Sequence, residues 1–244
     1  MISKDRKERT QISLARAISK LGIASRAEAR RMIQEGRIEV NGKTVRDPGL
    51  WLDLRTDRIT RKGRLLKIRE KIYLALHKPA GVVTTRSDER GRKTVYDLLP
   101  PDSRWVFPVG RLDKESSGLL LLTNDTTFGE SVTNPERKVE KKYHVVLDHP
   151  LAAPDKQHME AGMTLPDGTV LSGAMVRPGS GVAEFEISIR EGKNRQIRRM
   201  CESLGYEVKR LHRVSIGDIR LGDLQVGKYR SLTPHERASI LTHK

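Results

Sequence analysis

Apolar positions recur with two different periods along the 244 residues, and the change of period divides the chain. Near the start, Ile12, Leu14, Ala15, Ile18, Leu21 and Ile23 follow helical spacing. Ser25 then announces a second helix. Glu28 stands three residues later in the capping-box pattern, and Gly36 supplies the stop. Residues 37–40 and 43–46 flank Asn41-Gly42, the pair preferred in a type I′ turn, and predict a tight hairpin. Over 61–71 periodicity falls while charge rises, which predicts a linker.

Beyond it the pattern changes to short strand-like runs. Residues 72–77 and 82–85 read as strands about a turn at Lys78-Pro79-Ala80-Gly81, 94–99 as a short helix closed by Pro100-Pro101, and 105–109 and 119–122 as buried strands. Residues 127–132 predict a helix and 139–147 an alternating strand that puts Lys141, Tyr143, Val145 and Leu147 on one face. A Gly- and Pro-rich peripheral excursion with short strands fills 148–181. A strand at 183–189, a helix at 195–204 ended by Gly205, and glycine-separated strands over 208–232 complete the chain.

Charge changes this picture. The chain carries 47 Lys and Arg against 31 Asp and Glu, a net +16 and a pI near 10.2, which is the footprint of a polyanionic partner. The excess is concentrated early, with 19 basic against nine acidic residues over 1–70. No apolar run approaches the ~20 residues of a spanning helix, and the charged stretch 1–10 is not followed by an apolar region, so neither a span nor a signal peptide is expected and the cytoplasm is the expected compartment. A single cysteine, Cys201, and seven scattered histidines offer no disulfide framework and no ligand spacing, so no metal is expected.

The densest chemistry lies at 110–118, G-R-L-D-K-E-S-S-G, where Asp113 occupies a polar turn between two apolar runs, bracketed by Gly110 and Gly118. Such a turn can hold one carboxylate at the mouth of a cleft. Composition alone leaves a simpler reading open, a turn aspartate paired with Arg111. A hydrolase pair of Asp113 with Glu115 or Asp125 is poorly placed, because Glu115 sits in the same turn. The Gly110–Gly118 spacing lacks the terminal Lys-Ser/Thr of a phosphate-binding loop, and Cys201 beside Met200 in a helix reads as packed.

Two resemblances sharpen the expectation. The run S-R-A-E-A-R-R-M-I-Q-E-G-R-I-E-V-N-G-K resembles the S4 RNA-binding domain over about 12–60. That implies phosphate contacts to structured RNA, with Arg16, Lys20, Arg26, Arg30, Arg31, Arg37 and Lys43 as candidates, giving affinity and registration with little sequence discrimination. The stretches H-K-P-A-G-V-V-T-T at 77–85, G-R-L-D-K-E-S-S-G-L-L-L-L-T-N-D at 110–125, V-E-K-K-Y-H-V at 139–145 and E-G-K-N-R-Q-I-R-R-M at 191–200, with the S4-like front, resemble the RsuA/RluB type of ribosomal RNA pseudouridine synthase from about 12 to 232.

The family resemblance implies an α/β (α+β) protein in which an S4-like domain precedes a catalytic domain, 72–240, with a large mixed, mostly antiparallel sheet and peripheral helices. It implies a cofactor-free isomerisation of a uridine in ribosomal RNA, large-subunit RNA favoured and small-subunit RNA possible, by a monomer independent of membrane or metal. Asp113 is then the catalytic carboxylate, Tyr143 the ring beneath the base, and Arg198 the cation supporting Asp113. Arg111, Lys78, Asn194 and Gln196 are RNA or substrate contacts, with Lys78 read first as part of a turn. The rival from another class is a non-catalytic RNA-binding or ribosome-assembly factor.

Overall fold

The computed structural model of the chain describes residues 11–67, 70–100 and 105–242, so the charged stretch 1–10, linker positions 68 and 69, and Pro101 lie outside the described residues. These residues divide into two compact units, one running up to Lys71 and including 105–107, the other formed by the rest from Ile72 onward.

The first unit contains β1 (Gln11–Ser13), α1 (Leu14–Lys20), α2 (Arg26–Gln34), β2 (Ile38–Val40), β3 (Lys43–Val45), β4 (Trp51–Asp53), β5 (Ile59–Arg61) and β6 (Arg64–Leu65). Ser25 Oγ accepts from the Glu28 amide at 3.1 Å, satisfying one of the orphan donors that open α2. Asn41 and Gly42 both take positive φ, 52° and 78°, as a type I′ turn requires, and β2 pairs antiparallel with β3 around them. Leu14, Ala17 and Ile18 of α1, Ala29, Met32 and Ile33 of α2, and Ile38, Leu52 and Ile59 of the strands bury together as this unit's core. The seven basic residues Arg16, Lys20, Arg26, Arg30, Arg31, Arg37 and Lys43 are all exposed. The expected linker is a correction: 61–65 holds the end of β5 and β6, joined at Lys62 and Gly63 with positive φ. Both residues of β6 are exposed, so no apolar period marked it.

The second unit is built on a nine-stranded sheet. Its elements are β7 (Tyr73–Lys78), β8 (Phe107–Val109), β9 (Ser117–Thr123), α3 (Thr126–Thr133), β10 (Lys141–Leu147), α4 (Ala153–Ala161), β11 (Met163–Thr164), β12 (Val170–Leu171), β13 (Met175–Pro178), β14 (Glu184–Ile189), α5 (Gln196–Ser203), β15 (Val208–Ile216), β16 (Ile219–Arg220), β17 (Tyr229–Ser231) and α6 (Pro234–Thr242). The strand order is β13-β14-β10-β15-β9-β7-β17, with β8 on β9 and β16 on β15. Only β15 and β9 run parallel along that path. Leu119, Leu120, Leu121 and Leu122 of β9 are fully buried, as expected of a central strand covered on both faces.

Two further expectations are corrected. Residues 82–85 are not a strand: Val83 makes a lone parallel bridge to Thr94, and the segment wraps the Asp113 turn. The excursion at 148–181 contains a helix, α4, which buries only Met159, and α6 near the end buries only Ile240. One buried side chain per helix leaves no stripe for periodicity to display.

Candidate active site

Asp113 sits where three pieces of backbone lock a turn. Its residue enters from Gly110, whose φ of 72° an L side chain rarely adopts. The Ser116 amide donates to the Asp113 carbonyl at 3.1 Å, the Gly81 amide to the Lys114 carbonyl at 2.7 Å, and Thr84 Oγ1 to the Leu112 carbonyl at 2.8 Å. Lys78 completes the brace. Its side chain is fully buried, and its Nζ donates to the carbonyls of Ser116 at 2.7 Å, Asp113 at 3.0 Å, Pro79 at 3.0 Å and Lys114 at 3.4 Å. The phosphate contact expected of Lys78 is therefore corrected: an ammonium inside the fold, spent on four carbonyls, has nothing left for RNA. Residues 77–85 hold the carboxylate's turn in place, which leaves the Asp113 side chain partly exposed.

Burial pushes Lys78 down to about 8, against the opposing pull of Asp113 and Glu115. The neutral amine has two N–H donors where the ammonium has three, so the turn loosens as the proton leaves. The expected rate falls as pH rises through about 8. Between about 8 and 10.5 the unfolded chain holds the Lys78 proton and the folded chain does not, so this group adds stability as pH rises. Alkaline loss of rate without a matching loss of melting temperature is the expected signature. Lys78→Met keeps the stem and removes the donors. Its turnover should drop ~10²-fold with RNA affinity nearly unchanged, because a misplaced reacting group costs that much, and its residual rate should lack the fall near pH 8.

Asp113 opens onto a cavity of about 510 Å³, whose lining includes Arg111, Lys141, Tyr143, Asn194, Arg195 and Arg213. That volume is within the ~300–1,000 Å³ usual for small-molecule sites. Tyr143 is buried in the wall on β10 and faces Arg213 directly across the β10–β15 ladder. Arg111 is exposed and lines both this cavity and a second recess of about 430 Å³ that Asp113 also lines, with Thr85, Arg90 and Arg92. Among the described residues, no three His, Cys, Asp or Glu side chains gather to hold a metal ion. Burial pushes the Cys201 thiol up to about 12.

The expected partnership of Arg198 with the Asp113 carboxylate is corrected. Arg198 Nη1 donates to the Val208 carbonyl at 3.0 Å and Nη2 to the Glu115 carbonyl at 3.4 Å, with Nε buried and unpartnered. The cation beside Asp113 is Arg195, whose Nη1 lies 4.0 Å from Asp113 Oδ2 and 3.9 Å from Glu115 Oε2, while Nη2 lies 3.5 Å from Glu202. Arg195 precedes α5 at φ 47°, a backbone state that no helical wheel anticipates. The apolar stripe Ile197, Met200, Cys201 and Leu204 was the available signal, since it draws Arg198 against the core. Gln196 lines the same cavity. It is buried, its amide donating to Glu191 Oε1 at 2.7 Å and accepting from the Lys193 amide, so it shapes the 191–196 loop, whereas Asn194 is exposed at the cavity rim.

Residues 72–203 match the model of a family described as RNA pseudouridylate synthase. The chain belongs to that family. Residues 13–57 match the S4 domain. The ribosomal large subunit pseudouridine synthase B of Bacillus subtilis is 35% identical over 91% of this chain and 93% of its own. The dual-specificity RNA pseudouridine synthase RluF of Escherichia coli is 37% identical over 93% of this chain and 77% of its own. A crystal structure of a pseudouridylate synthase superposes with a TM-score of 0.71 at 29% identity, covering 94% of this chain and 99% of that one. A pseudouridylate synthase must detach uracil from ribose and rejoin it through carbon, and this cavity sets a braced carboxylate, a buried aromatic ring and several cations around one space.

Proposed function

We propose that the enzyme converts a specific uridine of ribosomal RNA, in the large subunit, to pseudouridine in the cytoplasm. What carries the reading is the Asp113 turn, clamped by Lys78 and Thr84 and opening on the cavity that Tyr143 lines. A flipped uridine loses its stacked neighbours, and a flat ring in the wall replaces them. One carboxylate then suffices, either by attacking C1′ as uracil departs or by removing a sugar proton, and the detached base turns and rejoins through C5. Arg195 keeps a positive charge beside Asp113 without burying it, and Arg198 fixes the turn from the Glu115 carbonyl. Arg111 and Asn194, both exposed at the cavity, are the candidates for contact with the flanking RNA. The large-subunit assignment draws on the name of the Bacillus subtilis relative and on S-R-A-E-A-R and R-Q-I-R-R-M-C in this chain.

Tritium release from ribosomal RNA labelled at uracil C5 tests the reaction, since only rejoining through C5 sheds that hydrogen. Release by the wild-type enzyme supports it; none on naked RNA or on ribosomal precursors contradicts it. In the S4 unit, Arg30→Glu with Arg31→Glu should weaken RNA binding and flatten its salt dependence, because each lost phosphate contact lowers the slope of log K against log salt by about 1. An unchanged slope removes the α2 face from the interface.

A further inference from the structure

Among the described residues, two cations in the cavity wall have no carboxylate partner. Arg213 is 4% exposed, and its Nε donates to the Leu119 carbonyl at 2.7 Å and its Nη1 to the Tyr143 hydroxyl at 3.4 Å, while Nη2 is buried with no partner. Its guanidinium carbon lies 5.9 Å from the Tyr143 ring centroid. Lys141 stands two residues before Tyr143 on the cavity face of β10 and is half-buried, its Nζ donating only to the Val139 carbonyl at 3.0 Å. Among the described residues neither makes an ion pair with a carboxylate. Burial and then the Arg213 charge push the Lys141 ammonium below its ordinary value, so the charge this lysine feels is a like one. Burying a cation away from carboxylates is costly, and holding two together is more so. Anchoring β15 to β9 accounts for one hydrogen bond of Arg213 and for none of Lys141.

We propose that Lys141 and Arg213, both beside Tyr143 in the cavity wall, stabilise the negative charge that uracil carries while it is detached from the ribose. This rests on the uridine isomerisation proposed above. Cleavage sends the C1′–N1 electron pair to N1, and the ring becomes an anion whose charge is shared with its two carbonyl oxygens. When C5 attacks C1′, that pair forms the new bond. The C5 hydrogen then leaves as a proton and N1 takes one up, so the reaction is balanced without a co-reactant. Lys141, Tyr143 and Arg213 line one cavity, so a ring anion held there lies in the field of both cations. Fixed charges placed where charge develops, in a site partly closed to water, lower the barrier to cleavage and do little for the bound uridine, which is neutral.

The test compares Lys141→Met, Arg213→Lys and Arg213→Gln with wild type in single-turnover reactions on RNA carrying uridine or 5-fluorouridine at the target, measured as consumption of that nucleotide, with RNA affinity and melting temperature alongside. Fluorine withdraws electrons and stabilises the departing ring anion, so cleavage leans less on the protein. Lys141→Met should bind RNA as wild type does and react with uridine ~10²-fold more slowly. Its loss with 5-fluorouridine should be clearly smaller. Arg213→Gln should follow the same pattern and Arg213→Lys should recover most of the rate. Equal losses on the two substrates overturn the proposal, because a purely structural role slows both alike. Unchanged rates with weakened, less salt-dependent RNA binding also overturn it and assign the pair to a backbone phosphate instead. If wild type consumes neither substrate, the isomerase reading falls and takes this inference with it; if wild type reacts and the losses are equal, only the role of the pair is lost.

Discussion

Asp113→Asn is expected to lose at least ~10³-fold in turnover, since a carboxamide neither attacks C1′ nor removes a sugar proton. RNA affinity should hold within about twofold, and the fold should be untouched. The reason is local. The brace on this turn reaches the Asp113 backbone carbonyl from Lys78 and from the Ser116 amide, and neither involves the side-chain oxygens. The carboxylate's own ion contact is with exposed Arg195 at 4.0 Å, and pairs of that kind contribute ~0–1 kcal/mol. Single-turnover rates with binding and melting curves on the same preparations check this. A variant that has lost both rate and fold would contradict the assignment of Asp113 to chemistry alone.

Gly118→Ala should be the most destabilising single methyl in the catalytic unit. Gly118 has φ 105° and pairs in parallel with Arg213, and a Cβ there would stand 2.2 Å from the Arg213 carbonyl oxygen and 2.6 Å from its nitrogen. Both obstacles are backbone of a central strand, so neither rotates away. The single parallel contact between β9 and β15 must open, and it is the contact that brings the Asp113 turn to the strand carrying Arg213. Roughly 4 kcal/mol or more of stability should be lost, with a fall in melting temperature of ~10 °C for a chain this size. Thermal unfolding followed by circular dichroism measures it, and a melting curve unchanged within ~2 °C would contradict the packing described.

Much of this architecture was legible in the sequence, for identifiable reasons. Ser25 with Glu28, and Asn41 with Gly42, are local codes whose partners lie within a few residues, and both act in the structure as their chemistry dictates. The alternation through 139–147 placed Lys141 and Tyr143 on one face, which is the face that meets the cavity. The four-leucine run announced a strand buried on both sides, and β9 is central. Asp113 was marked by its polar turn between apolar runs and given a role through a family resemblance.

What the sequence concealed is long-range and mostly backbone-directed. Lys78 is 35 positions from Asp113, and its targets are carbonyl oxygens that every residue possesses, so no pattern of side chains advertises the clamp. Arg195 and Arg198 are three residues apart in a basic helix-start, and which one faces Asp113 depends on a left-handed residue at the helix entrance. Arg213 lies in a strand of mixed polarity, where an arginine reads as solvated until the register pairs it with Tyr143.

The most direct measurement maps pseudouridine across the ribosomal RNA of a strain lacking this gene, then of the same strain given back the wild-type or the Asp113→Asn gene. Pseudouridine is expected to disappear from a defined site in large-subunit RNA on deletion, to return with wild type, and not to return with Asp113→Asn. An unchanged map on deletion, or a site restored equally by both genes, would contradict this expectation.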